Sequence, residues 1–322
     1  MVRTDRRRLR FVAEVWGLSP LPLRLRQARI ALAGEEDVPP ARYGLSSLSQ
    51  YRPTIGPRLW AGRFVLPRTA LVTNLYNHTQ TPIAEGWSVR KTQVRDFRGR
   101  RLTYDSHNGT DFSVPVGTTI VAAAPGLVVR VASEFNRGGL KLYIDHGGGL
   151  MTCTAHLARA LVKVGDVVGR GQPVARSGYS GLDGVITFPW GTPHIHYNVW
   201  LHGRPVDPFP HDGQPSLWRA GSVPVPVAQE PAPVDFVPSA YDEGAVQAGI
   251  AACVTPSARE RLAAEPTLEA RGTHLVHEMN YYPTRFTRFV QPYANPAPRR
   301  PLLDLPVSAR EVDGVVFVDD LL

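Results

Sequence analysis

The stretch from residue 107 to residue 207 constrains the fold more than any other part of the chain. It is built of short apolar runs separated by glycine, proline and aspartate, at 119–123, 126–132, 141–145 and 150–154. Short apolar runs bounded by turn residues are typical of β-strands. We therefore predict a mainly β protein with an antiparallel sandwich or half-barrel core.

The most informative pair inside this stretch is His194 and His196. The neighbours Ile195, Tyr197 and Val199 favour a strand. Because side chains alternate between the two faces of a strand, both imidazoles are predicted to project from one face and to serve one site. The pair alone is weak evidence, since a histidine on a strand is usually structural.

A second pair, His107 and Asp111, flanks the turn signal Asn108-Gly109. A turn there would bring the imidazole and the carboxylate to one point. With His156 the candidate set comprises four histidines and one carboxylate, more than a catalytic zinc ion needs. Such an ion keeps three protein ligands and leaves the fourth position to water. The surplus imidazoles suit proton transfer and charge stabilisation.

His156 follows the predicted strand at 150–154. Strand alternation predicts that Thr154 shares its face, and that Cys153 and Ala155 point the other way. The thiol is accordingly left out of the candidate site.

These motifs resemble the LytM/lysostaphin-type zinc metallopeptidases, which cleave cross-links or stem peptides of bacterial peptidoglycan. The matching segments are HNGTDF, AHL and PHIHYNV, supported by VPVGTTIVAAAPGLVV, VKVGDVVGRGQPVARSG and GRPVDP. The resemblance covers residues 100–208, about a third of the chain. It implies the lysostaphin-like core, also called a duplicated hybrid motif, and a zinc metalloendopeptidase.

Carried over by position, the resemblance makes His107, Asp111 and His196 the zinc ligands. It makes His156 and His194 the catalytic histidines that activate water and stabilise the oxyanion, and it leaves open which is the main base. All five residues are present, which argues against relatives that have lost their ligands. Two alternatives remain: a non-catalytic domain that binds the wall or regulates another hydrolase, and a zinc peptidase acting on a non-wall peptide.

The chain departs from the family pattern in two places. Thr154 stands where the family often has tyrosine, and Tyr104 is a candidate replacement for the phenol. The connection at 179–190 is longer than usual and carries Phe188 and Trp190. This loop is predicted either to border the groove or to pack on the N-terminal segment.

Three further histidine sites are predicted to lie outside the centre. His146 precedes three glycines in a turn, and His78 lies in a polar turn where we expect it to be solvated. The segment HLVHE at 274–278 matches neither HExxH nor HxxEH, so ordinary helix or loop surface is expected there.

The flanks suggest four regions. They are a basic N-terminal extension at 1–60, the metallopeptidase domain at 61–210, a proline-rich linker or strap at 211–240, and a partly helical C-terminal extension of unknown function at 241–322. Helices are predicted at 23–32, 242–252 and 257–270, and strands at 58–66 and 70–76.

The net charge of +8 and pI near 9.8 favour anionic partners. With the hydrolase motifs, peptidoglycan peptides and anionic wall polymers are the expected partners. Nucleic acid is not expected, because its motifs are absent. No apolar run is long enough for a transmembrane helix. The family resemblance implies the cell envelope or secretion, although the arginine cluster at 6–10 is not followed by a clear signal peptide. Two cysteines give no disulfide framework, and the oligomeric state is open.

Overall fold

A computed structural model describes residues 12–35, 37–80 and 86–321. Its strands form one mixed sheet, which confirms the predicted mainly β class. They are β1 (Thr69–Asn74), β2 (Thr110–Ser113), β3 (Thr119–Val121), β4 (Gly126–Glu134), β5 (Gly139–Asp145), β6 (Leu150–Ala160), β7 (Val167–Val168), β8 (Pro173–Ser177), β9 (His194–Leu201), β10 (Arg204–Val206) and β11 (Gly314–Phe317).

The main path of the sheet runs β11-β1-β2-β9-β6-β5-β4-β7. Strand β10 pairs with β9, and β8 joins β3 to β6. All pairs are antiparallel except β1 with β11, which is parallel. The antiparallel core fits the predicted short strands separated by turns. The edge strand β11 pairs with β1, whose residues lie more than two hundred positions earlier in the chain.

The two faces of the sheet bury different clusters. On one face, the largest apolar core includes Phe112, Ile195 and Tyr197. On the other face, Trp200 and Met151 pack in a second cluster with aromatic residues of the C-terminal helices. Because both faces are covered, the central strands are buried almost throughout. Polar side chains on these strands therefore do not serve to contact solvent, and each needs a structural or functional explanation.

Six α-helices among the described residues accompany the sheet. They are α1 (Leu21–Ala33), α2 (Gly56–Trp60), α3 (Leu182–Thr187), α4 (Glu243–Ala251), α5 (Pro256–Ala263) and α6 (Leu268–Tyr281). The Asp242 side chain caps α4 and the Thr267 side chain caps α6. The helices predicted at 23–32 and 242–252 are confirmed. The one predicted at 257–270 is interrupted, because a new helix starts after the Thr267 cap.

One predicted strand is wrong. The segment 58–66 forms part of α2 and an irregular connection, where Pro57 occupies the first turn of the helix. The strand predicted at 70–76 is confirmed as β1. No helix in the described ranges combines the length and apolarity that crossing a membrane requires. The arginine cluster at 6–10 lies outside the described residues.

The proline-rich segment is hydrogen-bonded at several points to the domain that carries the sheet. The Glu230 N–H donates to the Arg170 carbonyl at 2.7 Å, and the Ser239 hydroxyl donates to Asp145 at 2.6 Å. These contacts attach the segment to the domain near residues 230 and 239, and the division into linker or strap stays a prediction. Further on, Leu303, Leu305 and Val307 enter the main core.

Candidate metal centre

Two neighbouring strands supply three of the five candidate site residues. Strands β2 and β9 pair so that Asp111 lies opposite His196 and Ser113 lies opposite His194. Residues directly opposite in an antiparallel pair point to the same face. The carboxylate and both imidazoles therefore share one face, which confirms the face predicted for the HxH pair.

A tight turn before β2 carries His107. In this turn Gly109 passes so close to the ring of His196 that a Cβ there would lie 2.8 Å from His196 Nε2 and 2.8 Å from the Tyr197 carbonyl oxygen. Only glycine gives the backbone this approach without displacing the imidazole. The turn places His107 beside Asp111, as the Asn-Gly signal predicted.

The three predicted ligands converge. His107 Nε2 lies 3.0 Å from Asp111 Oδ1 and 3.1 Å from His196 Nδ1, and His196 Nδ1 lies 2.8 Å from Asp111 Oδ1. Bonds of ~2.0–2.2 Å to a tetrahedral zinc ion would place such atoms about 3.3 Å apart. Two imidazole nitrogens and one carboxylate oxygen at this spacing fit that ion, with small outward shifts.

Further hydrogen bonds fix the orientation of these side chains. His107 Nδ1–H donates to the Leu75 carbonyl at 2.6 Å, which leaves the Nε2 lone pair pointing into the centre. The Asn74 amide donates to Asp111 Oδ2 at 2.8 Å. Such partners hold a ligand's tautomer and direction before any metal binds.

His156 and His194 lie beside the centre. Their ring centroids are 4.9 Å apart, and His194 Nε2 lies 3.6 Å from Asp111 Oδ1. Each Nδ1 is bonded to a carbonyl, that of Ser180 for His156 at 2.8 Å and that of Thr192 for His194 at 2.7 Å. A nitrogen that donates to a carbonyl carries the proton, so the neutral ring has its lone pair on Nε2. Both rings are thus prepared to accept a proton.

The alternation predicted for β6 is wrong. Ala155 lies opposite His196 and Cys153 opposite Asn198, so both are on the face of the metal centre, whereas Thr154 lies opposite the core residue Tyr197. His156 reaches the centre only because a bulge interrupts the strand. It has φ of +58°, and the register of β5 with β6 shifts there by one residue.

Despite this shared face, Cys153 is not a candidate ligand. Its Sγ lies 3.4 Å from the Tyr281 hydroxyl in the cluster beneath α6. Burial raises the pKa of the thiol to about 11. A protonated, buried thiol is a poor metal ligand and nucleophile.

The electrostatics of the centre favour an ionised Asp111 and neutral rings at His156 and His196. Burial opposes ionisation of Asp111, but His107 and His194, with hydrogen bonds from His107 and His196, hold the pKa of its carboxyl well below its usual value. Burial and the adjacent His194 lower the pKa of His156 from 6.5 to about 3. Burial likewise lowers the pKa of His196. Neutral imidazole and ionised carboxylate are the forms that bind metal.

The centre opens into a cleft of about 150 Å³ whose walls include residues that the motifs did not reveal. The Tyr179 ring packs 4.7 Å from that of His194, and the Tyr104 ring 4.5 Å from that of His107. Asp183 of α3 also lines the cleft, and burial raises the pKa of its carboxyl. For Tyr179 and Asp183, the only sequence signal was the extra length of the loop that carries them.

That loop has both roles predicted as alternatives. Its helix α3 borders the cleft through Ile186 and Thr187. Its tip packs on the N-terminal segment, since the Phe188 ring lies 5.4 Å from that of Trp16 and 5.2 Å from that of Trp60. The N-terminal segment contributes Tyr43 and Tyr51 to the lining of the cleft.

The histidines predicted to lie outside the centre do so, but two expectations about them are wrong. His146 is buried between the Pro125 carbonyl and the Thr152 hydroxyl. His277 is helical as predicted but buried, with Nε2 3.1 Å from Glu134 Oε2. His78 is only partly solvated, because its Nε2 lies 2.7 Å from the buried carboxylate of Asp207.

Comparison with known proteins gives a family match for the central third of the chain. Residues 105–208 match the model described as Peptidase family M23. The chain is 39% identical over 131 residues to peptidoglycan DD-endopeptidase ShyA of Vibrio cholerae, covering 39% of this chain and 28% of that protein. It is 38% identical over 119 residues to peptidoglycan DD-endopeptidase ShyC of the same organism, covering 35% and 25%.

Among solved structures, a zinc-containing peptidase from Vibrio cholerae aligns with 28% identity and a TM-score of 0.32, covering 44% of this chain and 38% of that chain. The chain spans about a quarter of the length of the two curated relatives. The family match confirms the resemblance predicted from the motifs, and it concerns the segment that holds the centre.

Proposed function

We propose that this chain, whose residues 105–208 match the M23 peptidase family, is a zinc-dependent endopeptidase that hydrolyses peptide bonds of peptidoglycan. One observation carries the proposal. Three atoms of the ligand types that zinc prefers, from His107, Asp111 and His196, lie 2.8–3.1 Å apart beside two further imidazoles. We assign the zinc to these three residues and the proton transfers to His156 and His194.

The substrate assignment rests on the relatives and on charge. The two curated relatives are named peptidoglycan DD-endopeptidases. The net charge of +8 suits a wall that carries carboxylates and phosphates. We accordingly place the protein at the cell envelope, with peptide cross-links as its substrate class.

In the proposed mechanism, the bound zinc supplies a Lewis acid that polarises a carbonyl and makes water easier to deprotonate. The chain's own residues do the rest. Asp111 stays ionised and, with its hydrogen bond from Asn74, keeps its orientation. Nε2 of either His156 or His194 accepts the proton of the attacking water and returns it to the leaving amine. Once protonated, the rings also stabilise the charge that develops on the substrate's carbonyl oxygen.

The deciding experiment is a panel of zinc-loaded digestions with products mapped by mass spectrometry. The panel contains cross-linked stem peptides, glycine-rich bridge peptides and an unrelated non-wall peptide. We expect cleavage of a cross-link, with His156→Ala and His194→Ala each reducing the rate ~10²–10⁴-fold while retaining zinc. His107→Ala should lose both zinc and activity.

His202→Ala is the matched control, because its ring contacts the Ala297 carbonyl, away from the centre. It should retain both zinc and activity. Binding of the wall without any cleavage would instead identify a non-catalytic wall-binding domain. Cleavage of the unrelated peptide alone would overturn the substrate assignment and keep the zinc chemistry.

A further inference from the structure

A second cluster of metal-ligating side chains lies behind the candidate centre. Its members are His78, Asp207 and His211, and one potential ligand atom of each lies within 4.8 Å of those of the other two. Within the described ranges, two groups of three potential metal ligands have this spacing, namely this cluster and the candidate centre. The sequence gives no motif for it, because its members come from two loops about 130 residues apart.

Asp207 is the rigid member. Its side chain is fully buried and follows directly on β10. Oδ1 accepts the Phe209 N–H at 3.0 Å, and Oδ2 lies 2.7 Å from His78 Nε2. An ionised carboxylate buried this deeply needs cationic or hydrogen-bonding partners on both oxygens. His78 serves that need, and a metal ion would serve it as well.

His211 presents a free lone pair. Its Nδ1–H donates to the Phe209 carbonyl at 2.8 Å, so the neutral ring carries its lone pair on Nε2. The Phe209 ring is buried and stacked on Phe97 at 4.5 Å, which fixes the carbonyl that orients the imidazole. The same arrangement, an Nδ1–H held by a main-chain carbonyl, orients His107 in the candidate centre.

The cluster faces an open cleft of about 750 Å³, so a fourth ligand position would be accessible to water. Arg299 also lines this cleft. Its guanidinium donates to the carbonyls of Asp207 and Phe209 at 2.7 and 3.1 Å, and to that of Pro215. These bonds hold the main chain on either side of the carboxylate, and they direct the guanidinium hydrogens at carbonyls rather than at Asp207's carboxylate.

We propose that His78, Asp207 and His211 bind a second divalent transition-metal ion, of which zinc is the best match to two imidazoles and one carboxylate. His78 Nε2 and Asp207 Oδ2 lie 2.7 Å apart, and one potential ligand atom of His211 lies within 4.8 Å of those of the other two. Tetrahedral zinc requires about 3.3 Å between ligand atoms, and the half-buried His211 is the member whose ring has room to adjust. The ion would join the loop after β1 to the segment after β10.

The loop that carries His78 also contacts the candidate centre. The N–H of Asn77, next to His78, donates to the carbonyl of His107 at 2.9 Å. A metal ion on His78 would thus brace the main chain that carries the first ligand of the candidate centre. The second ion is a brace in this proposal and takes no part in hydrolysis.

The test is metal content of the full chain. The protein is stripped with a chelator, reloaded with zinc, freed of excess ion by gel filtration and measured by plasma mass spectrometry. We expect two equivalents in the wild type and one in His211→Ala or in His78→Gln. We expect one equivalent in His196→Ala and none in His196→Ala/His211→Ala. His202→Ala, which removes another imidazole from the same cleft, should keep two.

A second readout isolates the new site. In the His196→Ala background, added zinc should raise the melting temperature, because an ion that binds only the folded chain stabilises it. The rise should vanish in His196→Ala/His211→Ala. A wild type that holds one equivalent, lost in His196→Ala, would show that the cluster is an ion pair only and would overturn the proposal. Two equivalents retained in His211→Ala and His78→Gln would overturn it as well. Failure of the candidate centre would give a different pattern, one equivalent in the wild type that His196→Ala retains and His211→Ala loses.

Discussion

At the residue scale, Gly109 determines how closely the turn can approach the candidate centre. An added Cβ would lie 2.8 Å from His196 Nε2, so Gly109→Ala must displace either the turn or the imidazole. We expect a loss of about 1–3 kcal/mol in the free energy of unfolding and weaker zinc retention. Urea denaturation and metal analysis measure the two effects. Gly314→Ala is the control, because nothing lies within 4 Å of its added Cβ.

A second prediction at this scale concerns acid stability. Burial, with the nearby charge of Arg170, lowers the pKa of His146 from 6.5 to about 4. Between these values the unfolded chain binds a proton at His146 that the folded chain does not. The contribution of the neutral His146 to the free energy of unfolding is therefore fully present above pH 6.5 and is lost as the pH is lowered from 6.5 to 4. The expected loss is about 3 kcal/mol.

Urea denaturation of wild type and His146→Gln at pH 7 and pH 4 isolates this contribution. The variant should lose about 3 kcal/mol less than the wild type over that interval, because glutamine does not titrate. Other buried histidines, such as His277, contribute equally to both proteins and cancel in the difference. Equal losses in the two proteins would show that His146 accepts its proton as readily in the folded state.

At the element scale, the bulge in β6 aims His156 at the cleft, and Gly138 lies beneath it. The His156 N–H donates to the Gly138 carbonyl at 2.8 Å, and a Cβ on Gly138 would lie 3.1 Å from that of Ala155. We expect Gly138→Ala to push on the bulge, reduce peptide hydrolysis at least ~10-fold and leave the zinc content unchanged, because no predicted ligand is on β6.

The matched control is Gly99→Ala. Gly99 has φ of +77° against +70° for Gly138, but nothing lies within 4 Å of its added Cβ. Both variants therefore introduce similar backbone strain, and only one pushes on the bulge. Equal activity in the two variants would contradict the role given to the bulge.

Strands β9 and β6 show where prediction from the sequence succeeds and where it fails. The regular alternation of β9 was enough to place His194 and His196 on one face, because the pattern is local. The alternation predicted for β6 failed, since one residue with positive φ reverses the face of everything after it. Nothing in the local sequence marks His156 as that residue.

Burial that depends on contacts between distant segments could not be predicted from the sequence either. The segment at 274–278 reads as a helix from its own residues, but its burial depends on Glu134 and Tyr143 of the sheet. The cluster of His78, Asp207 and His211 depends on two loops that meet only in the folded chain. Motifs with fixed spacing were predictable, and contacts between distant segments were not.

At the scale of the whole molecule, the C-terminal segment closes the sheet that carries the candidate centre. Strand β11 pairs in parallel with β1, and β1 pairs with β2, the strand of Asp111. Val312 and Val318 on either side of β11 are 0% and 2% exposed. Burying each such side chain contributes ~1.5–3 kcal/mol, before the strand pairing itself is counted.

We therefore expect deletion of residues 309–322 to reduce the free energy of unfolding by about 5 kcal/mol, a large part of the ~5–15 kcal/mol typical of a folded protein. The open edge of β1 should also promote aggregation. Urea denaturation and the soluble yield measure these effects. Asp319→Asn is the control, since it breaks only the surface ion pairs with Arg98 at 2.8 Å and Arg100 at 3.7 Å and should cost about 1 kcal/mol or less. A truncated chain with the wild-type urea midpoint would show that the metal-bearing strands hold together without the edge strand, and that the core contacts of the segment after residue 308 contribute little to stability.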